Sequence, residues 1–121
     1  MMRAAMSRLT HQSHTSDDIV RLALSGELDL SSAAQVEGVL KEIEEPGPPL
    51  LLIDLRDLTF MDSTGLRVLV SADARARDAS RRFVIVRGPE AVHRVFRITG
   101  LDDHLEIVDT PQKALDGAAD G

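Results

Sequence analysis

Cysteine is absent from the 121-residue sequence, which excludes disulfide bonds, thiol chemistry and cysteine-based zinc sites. Tryptophan and tyrosine are absent as well, and three phenylalanines are too few for the stacking platform of a single-stranded RNA reader. The longest apolar runs, Leu50 to Ile53 and Phe83 to Val86, are far too short to cross a bilayer. The first residues also lack the apolar stretch of a signal peptide. We therefore expect a soluble, cytoplasmic protein without membrane insertion.

Basic residues are in the minority, and their distribution is uneven. The chain has 14 Lys and Arg against 20 Asp and Glu, and its net charge of −6 argues against binding to nucleic acid. Residues 17–66 carry 11 acidic and 3 basic side chains, whereas residues 67–97 carry 8 arginines and 3 acidic side chains. This segregation indicates either solvated helix faces or a charged surface that steers a partner.

The length suits one domain, because single hydrophobic cores are usually built from about 100 to 150 residues. Hydrophobic residues at 43% and charged residues at 28% are close to the averages of globular proteins. We expect residues 1–15 to be a flexible N-terminus or an edge strand, residues 16–116 to form the single domain, and residues 117–121 to be a frayed C-terminus.

Hydrophobic periodicity predicts strands that alternate with helices. Alternation predicts a half-buried strand at 19–25 that ends at Gly26, and an apolar run predicts a central strand at 50–55 with a polar turn after it at Arg56 and Asp57. Ser32 followed by Gln35 predicts a capping box at the start of the first helix. Further elements are predicted as a helix to about Asp78, a strand at 82–87, a short helix between Pro89 and Gly100, a strand at 104–108 and a terminal helix from Pro111. This order predicts parallel strand pairing with helical crossovers.

The most informative stretch runs from Phe60 to Leu66, where a loop leaves the central strand and enters a helix. Asp62, Ser63, Thr64 and Gly65 stand at this helix start. Unpaired backbone N–H groups and the positive end of the helix dipole favour a negative group there, so the position is suited to a phosphate. A simpler interpretation is that Asp62 or Ser63 only caps the helix and Gly65 only permits close packing.

Two enzymatic interpretations of this loop fit the sequence less well. A hydrolase with Ser63 as nucleophile would need glycine at position 61, where the chain has Met61, and would need His93 or His104 as its base. A phosphate-receiving carboxylate at Asp54 or Asp57 would resemble receiver domains, which have an acidic pair after the first strand and a lysine after the last. The chain has lysine only at positions 41 and 113.

His11 and His14, which are three residues apart, lack a third ligand for a metal site. We therefore expect no metal site in this chain.

Two segments together resemble a known family. The first is Leu24-Ser25-Gly26-Glu27-Leu28-Asp29, and the second, about thirty residues later, is Leu58-Thr59-Phe60-Met61-Asp62-Ser63-Thr64-Gly65-Leu66. In this order and spacing they resemble the bacterial anti-sigma-factor antagonists of the STAS-domain family, and the similarity continues through Gly88-Pro89, residues 92–96 and Thr99-Gly100-Leu101. The resemblance implies an α/β fold with a mixed four- to five-stranded sheet and about four helices packed mainly on one side.

The resemblance also implies roles for single residues. In the family, the serine that matches Ser63 is phosphorylated by a cognate anti-sigma factor that is itself an ATP-dependent serine kinase. Asp29 would lie beside it at the rim where the kinase docks, and Asp62, Thr64 and Gly65 would complete the loop. Arg67 stands where the family commonly has glycine, so it adds bulk and charge to this partner-binding surface.

The function implied is a phosphorylation switch. The unphosphorylated protein would bind the anti-sigma kinase and free a sigma factor, phosphorylation would end this binding, and a serine phosphatase would restore it. The kinase would supply ATP, Mg²⁺ and the catalytic base, so we expect a kinase substrate without cofactor of its own and not an enzyme. Two alternatives stay open: a STAS scaffold subunit of a lipid-transport ATPase or a stress-sensing complex, and a small serine-dependent hydrolase.

Overall fold

The computed structural model describes residues 8–120, with side chains described up to residue 116. Five strands and four α-helices occur in this part of the chain. The strands are β1 (Thr10–Ser16), β2 (Ile19–Leu28), β3 (Leu50–Met61), β4 (Arg82–Val86) and β5 (Glu106–Val108). The helices are α1 (Ala33–Glu44), α2 (Ser63–Asp78), α3 (Glu90–Ile98) and α4 (Pro111–Asp120), and a 3₁₀ turn covers Leu101–Asp103. None of these helices is both long enough and apolar enough to cross a membrane.

The five strands form one mixed sheet in the order β1-β2-β3-β4-β5. β1 is an exposed edge strand and pairs antiparallel with β2, whereas the other three pairings are parallel. Each parallel pairing is connected through a helical crossover, because parallel neighbours cannot be joined by a tight turn. The mixed five-stranded sheet with four helices confirms the predicted STAS-like fold class.

The hydrophobic core lies on both faces of the sheet but is unequal in size. α1, α2 and α3 pack on one face, where Leu51, Ile53 and Leu55 of β3 point into the main cluster of buried side chains. α4 alone packs on the other face, where Ala114 contacts a small cluster that includes Leu52. Alternation along β3 feeds both clusters because successive side chains in a strand point to opposite faces. The prediction that helices pack mainly on one side is confirmed.

Two strands are longer than predicted. β2 continues through Gly26 to Leu28, and β3 continues through Arg56 and Asp57 to Met61, so the predicted polar turn at 56–57 is wrong. The extension arises from cross-strand pairing, which a local polarity pattern does not contain: Ser25 pairs with Asp57, and Leu28 pairs with Met61.

The pairing is irregular around Gly26. The register shifts on both sides of this glycine, and its φ of 98° lies in the region that glycine adopts without strain. A Cβ atom at this position would stand 1.9 Å from the carbonyl oxygen of Arg8. Gly26 therefore lets the chain before β1 pass close to β2 instead of ending the strand.

The predicted capping box at Ser32 is also wrong. Ser32 stands at the N-cap of α1 but makes no side-chain cap hydrogen bond. Its hydroxyl instead donates to the carbonyl oxygen of Glu27 at 2.9 Å and accepts from the backbone N–H of Asp29 at 3.0 Å. The end of β2 thus uses the hydroxyl of Ser32, which is no longer available to cap α1. The buried Ser32 side chain instead connects the end of β2 to the start of α1.

Much of the segregated charge is paired inside the fold. Arg75 of α2 donates to Glu44 at 2.7 Å and to Glu37 at 3.1 Å, both in α1. Arg82 pairs with Glu106 in the same way, between neighbouring strands. Three arginines of the segment 67–97, Arg75, Arg82 and Arg87, thus pair with carboxylates of the acidic segments before and after it.

Candidate functional site at the carboxyl edge of β2 and β3

The two segments that carried the family resemblance meet at one edge of the sheet. β2 and β3 are parallel and end together, at Leu28 and Met61, which are paired in the register. β2 continues into the loop from Asp29 to Ser32, and β3 continues through Asp62 into α2. Loops that follow neighbouring parallel strands lie side by side, so the fold brings the two segments together.

Asp62 connects these two loops. Its Oδ1 accepts a hydrogen bond from the backbone N–H of Gly65 at 2.9 Å, which makes Asp62 the N-cap of α2, as one of the two sequence interpretations held. Its Oδ2 accepts from the backbone N–H of Leu30 at 3.2 Å, and its own N–H donates to the carbonyl oxygen of Leu28 at 3.2 Å. One carboxylate therefore positions both the helix start and the loop after β2.

Gly65 permits the close approach of α2 to the end of β2. The residue is buried, and a Cβ atom built on it would lie 2.5 Å from the carbonyl oxygen and 2.7 Å from Cγ of Leu28. Those distances are shorter than contacts between atoms that are not bonded, so a larger residue would push the helix from the strand. Gly65 is thus required by packing, whatever contact it makes with a partner.

Ser63 is the first residue of α2 and is exposed. Its hydroxyl makes no hydrogen bond to any residue between 8 and 116. The backbone beside it is held by Asp62 and by the buried Gly65, so the Ser63 side chain is presented on a fixed support. Such a hydroxyl is accessible to a phosphate donor and is not needed for the fold.

Thr64 and Arg67, which follow Ser63 in α2, line a groove between α1 and α2. The groove has a volume of about 270 Å³, and Ala33, Ala34 and Glu37 form its opposite wall. Thr64 is half-buried, whereas Arg67 is exposed. The small side chains of Ala33 and Ala34 leave this groove open opposite Thr64 and Arg67.

Asp29 lies in the loop that Asp62 holds. Its Oδ1 accepts hydrogen bonds from the Ser31 hydroxyl at 2.7 Å and from the Ser31 backbone N–H at 3.0 Å. The hydroxyl hydrogen bond, with smaller contributions from the backbone, lowers the pKa of Asp29 below its usual value. A charged, half-exposed carboxylate therefore stands at this edge.

Two apolar residues at the same edge were missed by the sequence-based predictions. Leu30, whose N–H binds Asp62, has 77% of its surface exposed, and Phe60, two residues before Asp62, has 48% exposed. The exposure of Leu30 could have been predicted, because it is an apolar residue between the polar Asp29 and Ser31, beyond the predicted end of β2. No comparable signal existed for Phe60, because the predicted turn at 56–57 left its orientation undefined.

The geometry gives no support to a hydrolase. No histidine within residues 8–120 donates to or accepts from the Ser63 hydroxyl. His93 is buried in α3 with its ring 6.2 Å from that of Phe96, and burial, followed by the charges of Arg87 and Arg97, lowers its pKa. His104 is exposed after the 3₁₀ turn.

The surroundings of Asp54 likewise argue against a receiver-type phosphorylation site at this residue. Asp54 is 5% exposed and binds Arg21 at 2.7 Å and Arg56 at 2.8 Å, so its oxygens are occupied by guanidinium groups. Asp57 is exposed on the strand, and its backbone pairs with Ser25.

His11 and His14 are three residues apart on β1, so their side chains point to opposite faces of the sheet. No group of three or more His, Asp or Glu side chains suited to a metal occurs between residues 8 and 116.

Comparison with known proteins agrees with the fold. The sequence profile of the STAS domain matches residues 11–114. The anti-sigma-F factor antagonist RsfB of Mycobacterium tuberculosis is 31% identical over 100 residues, which are 83% of this chain and 81% of the relative. The anti-sigma-B factor antagonist of Listeria monocytogenes is 34% identical over 90 residues, which are 74% of this chain and 79% of the relative.

A solved structure extends the similarity over nearly the whole chain. The crystal structure of an anti-sigma factor antagonist from Mycobacterium paratuberculosis superposes with a TM-score of 0.84 at 28% sequence identity. The match covers 96% of this chain and 97% of that one. The fold described above is therefore shared over nearly the whole of that chain.

Proposed function

Because the chain belongs to the STAS-domain family, we propose that it is an anti-sigma-factor antagonist switched by phosphorylation of Ser63. In the unphosphorylated form it binds an anti-sigma factor that is a serine kinase, and this binding frees a sigma factor. The names of the relatives support the antagonist role. The observation that supports the switch is the state of the Ser63 hydroxyl. It is exposed, makes no hydrogen bond with the described residues, and stands at a helix start that Asp62 and Gly65 hold in place.

The phosphoryl transfer itself requires little from this chain. The Ser63 Oγ attacks the γ-phosphorus of ATP, the bond from that phosphorus to ADP breaks, and the hydroxyl proton passes to a base on the kinase. ATP, Mg²⁺ and the base come from the partner, as in other protein kinases, where positioning and charge stabilisation supply most of the catalysis. The chain is then a substrate and a binding partner, and a serine phosphatase returns it to the binding form.

Electrostatics explain why phosphorylation would end the binding. A phosphoserine carries about −1.5 to −2 charges at neutral pH. Asp29 and Asp62 already place negative charge in the two adjoining loops. A kinase surface that fits the unphosphorylated edge would therefore face a much more negative edge after phosphorylation. The fold itself tolerates the phosphate, because anions at a helix N-terminus are stabilised by about 0.3 to 1 kcal/mol when exposed.

The proposed contact surface consists of the side chains around Ser63. Asp29, Thr64 and Arg67 offer polar contacts, and Asp62 and Gly65 set the position of the loop. Leu30 and Phe60 add exposed apolar area, which protein interfaces bury at their centre. We propose that this surface binds protein and not nucleic acid, in the cytoplasm.

Capture from a lysate of the source organism tests the proposal. The purified chain should retain an anti-sigma kinase without ATP and release it after ATP is added, with one phosphate mapped to Ser63 by mass spectrometry. The Ser63→Ala variant should retain the kinase in both conditions. Ser71→Ala, which removes a hydroxyl two turns later in α2, should behave like the unmodified chain.

Three results would contradict the proposal. A phosphate on Thr64 or Ser31 of the unmodified chain would show that the acceptor is misassigned. Release by ATP from the Ser63→Ala variant would show that Ser63 does not control binding. Retention of a transporter or stress-complex subunit without any effect of ATP would favour the scaffold function instead.

A further inference from the structure

Ser63 and Arg67 stand one turn apart on the exposed surface of α2. The helix begins at Ser63, and both side chains are exposed. Residues at positions i and i+4 of a helix are neighbours, with about 5 to 6 Å between their Cβ atoms. A group carried by Ser63 is therefore within reach of the long Arg67 side chain without any change of the backbone.

Arg67 differs from the other two arginines of α2. Arg75 binds the carboxylates of Glu44 and Glu37, and Arg77 binds Asp73 at 2.8 Å. Arg67 makes no ion pair or hydrogen bond with any residue that the structure describes. Of the arginines of this helix, only the one nearest Ser63 keeps its guanidinium available within the described part of the chain.

The acidic groups around Arg67 are engaged elsewhere. Glu37 lines the same groove from α1, but its carboxylate binds Arg75 at 3.1 Å and Lys41 at 3.5 Å. Asp62 uses both carboxylate oxygens for backbone N–H groups, and Asp29 is bound to Ser31. A phosphate on Ser63 would therefore be the anion best placed to form an ion pair with the Arg67 guanidinium.

We propose that Arg67 is the internal counter-ion of the phosphate on Ser63, so that phosphorylation also withdraws this cation from the partner-binding surface. This proposal rests on the proposed phosphorylation of Ser63. A guanidinium binds phosphate oxygens through two parallel N–H groups, and an acidic residue four positions before a basic one is the favourable orientation in a helix. Before phosphorylation, Arg67 is free to contact a carboxylate of the kinase; afterwards it is held by the phosphate of its own chain.

The test uses a chain in which phosphoserine is placed at position 63 during translation, so that no kinase is needed. A ³¹P NMR titration measures the second pKa of the phosphate in this chain and in its Arg67→Gln variant. The cation should lower this pKa by about 0.5 unit relative to Arg67→Gln, a change of about threefold in the dissociation constant. Arg67→Lys, which keeps the charge but not the fork of donors, should fall between the two.

Arg94→Gln is the matched control. Arg94 is an exposed arginine of α3 without an ion pair among the described residues, so its removal changes the net charge equally. It should leave the phosphate pKa within about 0.1 unit of the unmodified value, and about 1 M NaCl should reduce the Arg67 effect, since salt screens exposed pairs. Equal phosphate pKa values in the chain and its Arg67→Gln variant would overturn the proposal.

Failure of this inference and failure of the proposed function give different results. If no kinase modifies Ser63 in a lysate, the titration of the translated phosphoserine chain still reports whether Arg67 pairs with it. If the kinase modifies Ser63 but Arg67→Gln leaves the phosphate pKa unchanged, the switch operates without an internal counter-ion.

Discussion

The two ends of α2 use charge in opposite ways. At the C-terminal end, Arg75 and Arg77 are bound to carboxylates, and these pairs fasten the helix to α1 and to its own preceding turn. At the N-terminal end, the backbone is fastened by Asp62 and by the close packing of Gly65, while the side chains of Ser63 and Arg67 make no hydrogen bond or ion pair with the described residues. The difference shows how a site can be rigid and still able to bind a partner. Backbone contacts fix its position, and the side chains of Ser63 and Arg67 have no hydrogen-bonding partner among the described residues.

The largest effect should come from breaking the backbone attachment at the N-terminal end. In Gly65→Ala, the new Cβ would meet the carbonyl oxygen and Cγ of Leu28, so α2 must move away from β2. We expect a loss of about 3 kcal/mol in the free energy of unfolding, measured by urea denaturation. Gly38→Ala in α1 is the control: its Cβ would meet no atom within 4 Å, so it should stabilise the chain by up to about 1 kcal/mol. Equal stability of the two variants would show that the close approach is not tight.

The next effect should come from the two arginines at the ends of α2. Arg75→Gln removes three hydrogen bonds and leaves Glu44, whose side chain is 12% exposed, without its partner. We expect a loss of about 1 to 2 kcal/mol in unfolding free energy. Arg67→Gln should change this quantity by less than about 0.5 kcal/mol, because it removes no hydrogen bond or ion pair within the described chain. A larger cost for Arg67→Gln than for Arg75→Gln would invalidate the contrast between the two ends.

A third effect should appear as acid instability away from the site. Burial raises the pKa of Asp54, but hydrogen bonds from Arg56 and Arg21 outweigh it and bring the pKa to about 2. Since the folded pKa lies below the ordinary value of 3.8, the stabilisation is complete above about pH 4 and disappears as the pH falls through 2. Both arginines are half-exposed, so we expect a contribution of only about 1 to 2 kcal/mol.

Urea denaturation between about pH 2 and 6 measures this contribution. Asp54→Asn should flatten the curve in that window, whereas Asp57→Asn, which removes an exposed carboxylate of the same strand, should leave it steep. An unchanged slope in Asp54→Asn would assign the acid instability to other carboxylates.

The fold was predictable where local pattern and tertiary packing agree. The apolar residues Leu66, Leu69, Ala72 and Ala76 recur at helical spacing in α2 and are buried, and Gly100 follows the end of α3 with a φ of 76°. The helix start predicted at 62–65 is confirmed, because α2 begins at Ser63 with Asp62 as its N-cap. That residues 117–121 fray stays a prediction, since the helical backbone is described to Asp120 and residue 121 lies outside the described part, as do residues 1–7 of the predicted N-terminal segment.

The remaining features depend on partners distant in sequence. The polar pair Arg56 and Asp57 gives the pattern of a turn, but cross-strand pairing with β2 holds it in β3. Ser32 has the spacing of a cap, yet the end of β2 takes its hydroxyl. Arg75 pairs with Glu44 across 31 positions, which a local sequence pattern does not contain. The sequence therefore could not distinguish Arg67, which has no ion pair among the described residues, from the paired arginines of α2.

Isothermal titration of the captured anti-sigma kinase against three forms of the chain measures whether phosphorylation of Ser63 controls binding. The forms are the unmodified chain, the chain with phosphoserine at position 63, and Ser63→Ala, all without ATP. We expect the unmodified chain and Ser63→Ala to bind alike and phosphoserine to weaken binding at least tenfold, which corresponds to about 1.4 kcal/mol. Equal affinity of the kinase for the phosphoserine form and the unmodified chain would contradict the proposed switch.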